Sequence, residues 1–139
     1  QLRTRIGVHG KERTAPVVIL DTFGELFNLY SVATVVFCGA SLVPLGGQNP
    51  LEPAAWGKPV LYGPSMEDFL DAKAFLEEAG VDGRITGPDM LARRAMQLIG
   101  DPAERRDLGE RSRRAALRNR NAAERHARVI GDLLASSSG

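Results

Sequence analysis

The stretch GGQNPLEPAAWG, residues 46–57, holds the side chains best spaced for chemistry. Gly46 and Gly47 precede an Asn49–Pro50 step that reads as a helix start, and Glu52 falls in the first turn of that helix. Glycine lets a backbone approach a ligand closely and turn its N–H groups outward. The helix start behind the glycines carries about half a positive charge, which suits a phosphate. A carboxylate in the same turn offsets that charge, so Glu52 suits a neutral, hydroxyl-bearing partner such as a ribose better than a phosphate. The same residues also read as a capping box, Asn49 with Glu52 three positions on and Pro50 where a missing N–H costs nothing. Such a cap stabilises a helix by about 0.5–2 kcal/mol. Thr22 with Glu25 and Ser65 with Asp68 repeat the spacing. Helix physics leaves both readings of Glu52 open.

Other reactive residue types lack partners. There is no GxGxxG, Walker loop or GxSxG, and no DxD pair to hold a metal against a nucleotide diphosphate. His9 lies in a polar loop and His126 among arginines, neither with a second ligand at metal spacing. The single cysteine, Cys38, sits in the apolar run VVFC and reads as a buried structural thiol. The expectation is no self-contained catalytic centre, no metal and no cofactor.

The elements that must position these residues alternate in type. VVIL (17–20), TVVFC (34–38) and PVLY (59–62) are short β-branched runs. Each leads through a loop into a helical pattern: ELFNLYSVA, PLEPAAW and FLDAKAFLEEAG. Three strand–loop–helix units in a row predict an α/β fold with a parallel sheet flanked by helices, its loops gathered at the ligand-binding edge. RITG (84–87) reads as a last short strand before Pro88. PDMLARRAMQLIG reads as a helix opened by that proline, with two further helices, or one bent helix, after it and a frayed SSSG end.

At 139 residues the chain suits one domain, with a βα core over about 17–87 and a helical tail over 88–135. It begins QLRTRIG rather than with Met, which reads as a segment of something longer. No apolar run approaches the roughly 20 residues of a membrane-spanning helix. The net charge of +1 argues against nucleic acid as the partner. Residues 105–139 nevertheless carry 9 basic against 4 acidic side chains, a bias that suits a solvated helix face or an anionic membrane surface. Arg106, Arg113 and Arg120 share one face, and Asp107–Arg111 and Glu110–Arg114 are spaced for ion pairs.

Taken together, DTFGELFNLYSVATVVFCGASLVPLGGQNPLEPAAWGKPVLYGPSMEDF resembles the carboxy-terminal domain of 3-deoxy-D-manno-octulosonic acid (Kdo) transferases. More broadly, ELFNLYSVATVVF followed by EPAAWGKPV is similar to the nucleotide-sugar half of GT-B glycosyltransferases. The resemblance is strong over residues 17–80. It implies a truncated Rossmann-like domain, and transfer of Kdo from CMP-Kdo to a lipid A precursor at the cytoplasmic face of the inner membrane, without a metal. The family's nucleotide contacts fall here on Phe23, Gly24 and Glu25 and on Asn49, Pro50, Leu51 and Glu52. Ser41, Gly46, Gly47 and Gln48 become candidates for phosphate or sugar contacts, and Lys58 reads as solvated. Phe23 stands where the family often has methionine, and Gln48 where it often has histidine, so a cationic contact is absent there. The family's catalytic base and acceptor surface belong to an amino-terminal domain outside these residues, so the chain alone is expected to be inactive. The alternatives are half of a UDP-sugar-dependent GT-B enzyme and a non-catalytic nucleotide-binding module.

Overall fold

Apolar runs too short to stand alone need a partner strand and covering helices, and the centre of the chain supplies both. In the computed structural model, which describes residues 1–6, 12–118 and 122–136, β1 (Val36–Cys38) and β2 (Val60–Tyr62) pair in parallel. Their register is Val36↔Val60, Phe37↔Leu61 and Cys38↔Tyr62. His9 and Arg120 fall outside the described residues, as do the side chains of Arg125 and His126 and all of Ser137–Gly139.

The α/β plan holds, with two of the expected strands reduced. After β2, Tyr62 N–H donates to Gly83 O (2.9 Å) and Ile85 N–H to Tyr62 O (2.8 Å), a single parallel bridge where a strand over 84–87 was expected. Only Ile85 of that run is buried, and one apolar side chain cannot hold a longer strand. Residues 17–20 bridge Leu2 instead of entering the sheet: Arg3 N–H donates to Ile19 O and Ile19 N–H to Gln1 O, both at 2.8 Å. Parallel strands are stabilised by burial on both faces, and Val17, Val18 and Ile19 remain 66%, 36% and 57% exposed. The first of the three expected strand–helix units is therefore not part of this sheet.

Helices fill the intervals. α1 (Leu26–Leu29) tightens into a 3-10 turn at Tyr30–Val32 and leads into β1. α2 (Leu51–Ala55) joins β1 to β2. α3 (Leu70–Glu78) follows a 3-10 turn and ends at Gly80, whose φ of +74° lets Val81 N–H reach back to Leu76 O at 2.9 Å. α4 (Pro88–Gly100) opens with proline in its first turn, as the sequence predicts. The tail resolves into two elements, α5 (Pro102–Arg118) and α6 (Ala122–Ser136). None of the described helices is long and apolar enough to cross a membrane.

Of the three capping boxes, one caps its helix. Asn49 Oδ1 accepts Leu51 N–H at 3.1 Å. Thr22 donates its hydroxyl to the Glu25 carboxylate instead, and Ser65 turns away to residue 46, leaving α3 without a side-chain cap. Asp101 caps α5, its Oδ1 accepting Ala103 and Glu104 N–H, each at 2.9 Å. The Asp107–Arg111 ion pair forms at 2.8 Å, whereas Glu110 and Arg114 make none among the described residues.

The core lies between the strands and α3, α4 and α5. Leu61, Tyr62, Leu76, Ile85 and Leu98 are fully buried, and Leu108 and Ala115 bring α5 onto them. Each such leucine or isoleucine contributes about 1.5–3 kcal/mol by leaving water. α5 approaches the turn after α2 so closely that a Cβ on Gly109 would lie 2.2 Å from Gly57 O.

Candidate functional site

The loop between β1 and α2 is held from below by two serines. Ser41 is wholly buried; its hydroxyl donates to Cys38 O (2.5 Å) and accepts Gly63 N–H (2.8 Å). Ser65 Oγ accepts Gly46 N–H (3.0 Å) and donates to Glu67 (2.6 Å), while Ser65 N–H bonds Ser41 O (3.0 Å). These bonds tie residues 39–47 to the turn after β2 and so fix where α2 begins.

They also bear on three of the expected ligand contacts. Ser41 was a candidate ligand contact, but its hydroxyl is engaged on both sides with no exposed surface. Gly46 and Gly47 have φ of +80° and +81° and are buried rather than turned to solvent. A Cβ would meet the Asp68 carboxylate at Gly46 and the Met66 sulfur, 2.6 Å away, at Gly47. Both are glycine because the 65–68 turn packs against them. Pro50 is buried and Leu51 packs partly on the core.

A cleft of about 530 Å³ opens beside β1. Leu26, Leu29 and Tyr30 form one wall, β1 and Gly39 the floor, and Gln48, Asn49 and Glu52 the other wall. α2 thus presents its first turn toward the carboxyl end of β1, where open α/β sheets bind ligands. Glu52 is half-buried, and Oε1 accepts a long bond from Asn49 Nδ2 (3.4 Å). A carboxylate accepts about four hydrogen bonds, so acceptor capacity remains for donors entering the cleft.

Electrostatics place Glu52 among the same neighbours. Burial pushes the Cys38 thiol up to about 12, and the Glu52 carboxylate adds to the rise. Tyr30 is raised as well, by burial first and Glu52 second. Both groups stay protonated at neutral pH, so Tyr30 keeps a hydroxyl that can donate beside Glu52. Cys38 is a buried thiol, as expected. Among the described residues no three His, Cys, Asp or Glu side chains come together as metal ligands.

The predicted 23–25 turn does not line this cleft. Phe23 is fully exposed, Gly24 has open space around it at a φ of +82°, and the Glu25 carboxylate pairs with Arg3 (3.0 Å) and Thr22. Leu26, the next residue, is the first from that segment to reach the wall. Lys58 lies at the other end of the strands, its Nζ donating to Ser31 O at 2.8 Å. Leu26, Leu29, Tyr30 and Gly39 are cleft residues that motif spacing missed. Their signal was an aromatic at the end of a helix that leads directly into β1.

No family model matches the chain. It is similar to the 3-deoxy-D-manno-octulosonic acid transferase of Aquifex aeolicus, 37% identical over 83 residues, which cover 60% of this chain and 24% of that protein. The transferase of the same name from Haemophilus influenzae is 34% identical over 110 residues, covering 78% of this chain and 26% of the relative. That of Bordetella pertussis is 37% identical over 97 residues, covering 70% and 23%. The chain therefore spans about a quarter of the length of these relatives. Among solved structures, the C-terminal CMP-Kdo binding domain of WaaA from Acinetobacter baumannii superposes with a TM-score of 0.72 at 22% identity, over 83% of this chain and 59% of that one. Sequence and fold together relate the chain to the carboxy-terminal domain of Kdo transferases.

Proposed function

We propose that this chain, a relative of the Kdo transferases, is a partial nucleotide-sugar domain that holds the CMP part of CMP-Kdo during transfer of Kdo to a lipid A precursor. The observation that carries the proposal is Glu52, a carboxylate with acceptor capacity in the wall of a cleft that runs along β1 to its carboxyl end. A ribose offers hydroxyl donors and no charge, which matches a carboxylate at a helix start better than phosphate does.

In this proposal the cleft binds and orients, and Glu52, the one carboxylate among its described lining residues, takes no part in the transfer step. In the relatives about three quarters of the length lies outside the matched region. The proposal assigns to that region the general base and the acceptor surface, at the cytoplasmic face of the inner membrane. What this domain contributes is position: a nucleotide held in one geometry makes attack on its sugar effectively unimolecular. The proposal keeps the 23–25 turn in the nucleotide site as well, since Leu26, the next residue, lies in the cleft wall.

Calorimetric titration with CMP and with UDP tests the reading. CMP should bind about tenfold more tightly, the equivalent of one hydrogen bond to the correct base. Tighter binding of UDP would assign the chain to the UDP-sugar enzymes, and binding of neither nucleotide would contradict the proposal outright.

A further inference from the structure

A second, polar pocket of about 280 Å³ opens at the opposite edge of the sheet, where Ala33–Thr34 lead into β1 and Lys58–Pro59 lead into β2. Its walls carry three cationic side chains, Lys58, Arg105 and Arg106, and among the described residues no carboxylate. The acidic residues at the start of α5 are engaged elsewhere. Asp101 accepts the N–H groups of Ala103 and Glu104, Glu104 pairs with Arg94 and Gln97, and Asp107 pairs with Arg111.

The three cations retain donors. Lys58 Nζ gives one hydrogen bond, to Ser31 O at 2.8 Å, and an ammonium has three. Arg105 Nη1 donates to Leu98 O and Ile99 O, each at 2.9 Å, which holds the side chain at the end of α4 and leaves Nε and Nη2. Arg106 is exposed and makes no hydrogen bond or ion pair among the described residues. Like charges brought together in one recess repel, and an oxyanion relieves that repulsion while accepting the remaining donors. Two of the three cations are already fixed by carbonyl contacts, so less ordering is lost when the anion arrives.

We propose that this pocket, which adjoins the Glu52 cleft at Ala33, is an anion site for a phosphate-bearing ligand, independent of the nucleotide reading. A phosphate ester in solution and the headgroup of an anionic lipid share the chemistry that would be recognised. Thr34 adds a hydroxyl at the rim.

The test has two arms. The isotope-labelled chain is titrated with inorganic phosphate while its amide resonances are followed, and is separately sedimented with phosphatidylglycerol or phosphatidylcholine vesicles. Saturable shifts at Thr34, Gly57 and Lys58, weakened about tenfold by Arg106→Ala, support the site and point to a soluble ester if vesicles are inert. Binding to phosphatidylglycerol alone, reduced about fivefold by Arg106→Ala and further by Arg106→Glu, supports it with a lipid headgroup as the source. Among the described residues the Arg106 side chain has no structural bond to lose, so both variants should keep the unmodified chain's spectrum. Absence of binding in both arms, or binding that neither variant weakens, overturns the proposal.

Discussion

At the scale of single residues, the account turns on one carboxylate with two tasks. Glu52 receives Asn49 Nδ2 on one oxygen and faces the cleft beside Tyr30 and Cys38. Glu52→Gln keeps an acceptor oxygen for Asn49 but no longer offers a full carboxylate to a diol. CMP affinity should fall by about 1–3 kcal/mol, the scale for a poorly paired buried hydroxyl, while the circular dichroism spectrum stays unchanged. Unaltered affinity with a native spectrum would return Glu52 to a purely structural part in α2. Glu52 was legible because its position in a helix start behind Asn49 and Pro50 is a local fact. The parts played by Ser41, Gly46 and Gly47 were not, because they depend on a turn some 20 residues away. A sequence marks a glycine or a hydroxyl as permissive, and only the packed 63–68 turn decides that these serve the protein's own backbone.

Elements show the same division between local and distant causes. β1, α2, β2, α3 and α4 fall where period and turn residues predict them, since each carries its own apolar pattern and stop signal. The 17–20 run has the composition of a strand, yet a strand is completed by a neighbour, and here its bridge is to Leu2. The same holds for capping, where Thr22 and Ser65 take partners that spacing alone cannot reveal. The clearest non-local constraint between elements is the contact of α5 with the turn after α2. Gly109→Ala places a methyl 2.2 Å from the Gly57 carbonyl, and backbone cannot move aside as a flexible side chain does. Alanine improves helix propensity by about 1 kcal/mol at most, whereas overpacking costs about 1–3 kcal/mol, so the contact should decide the sign. A lower denaturant midpoint is the expected outcome; an unchanged or higher midpoint would mean that α5 stands further from α2 than the structure places it.

For the molecule as a whole, two edges of one small parallel sheet present different chemistry. At the carboxyl end of β1 the cleft offers Glu52, Asn49 and Tyr30, and at the amino end the pocket offers Lys58, Arg105 and Arg106. The resemblance carried by the sequence pointed to the first edge; the second combines residues 47 positions apart, which no motif joins. The central claim is that nucleotide binds at the first edge. It is tested most directly by following every backbone amide of the chain as CMP is added. The account predicts saturable shifts centred on Gly24, Tyr30, Gly39, Gln48, Asn49 and Glu52, and the same set with cytidine, which lacks the phosphate that the amino-edge pocket would take. Shifts centred on the amino edge, or no saturable shifts at all, would contradict it.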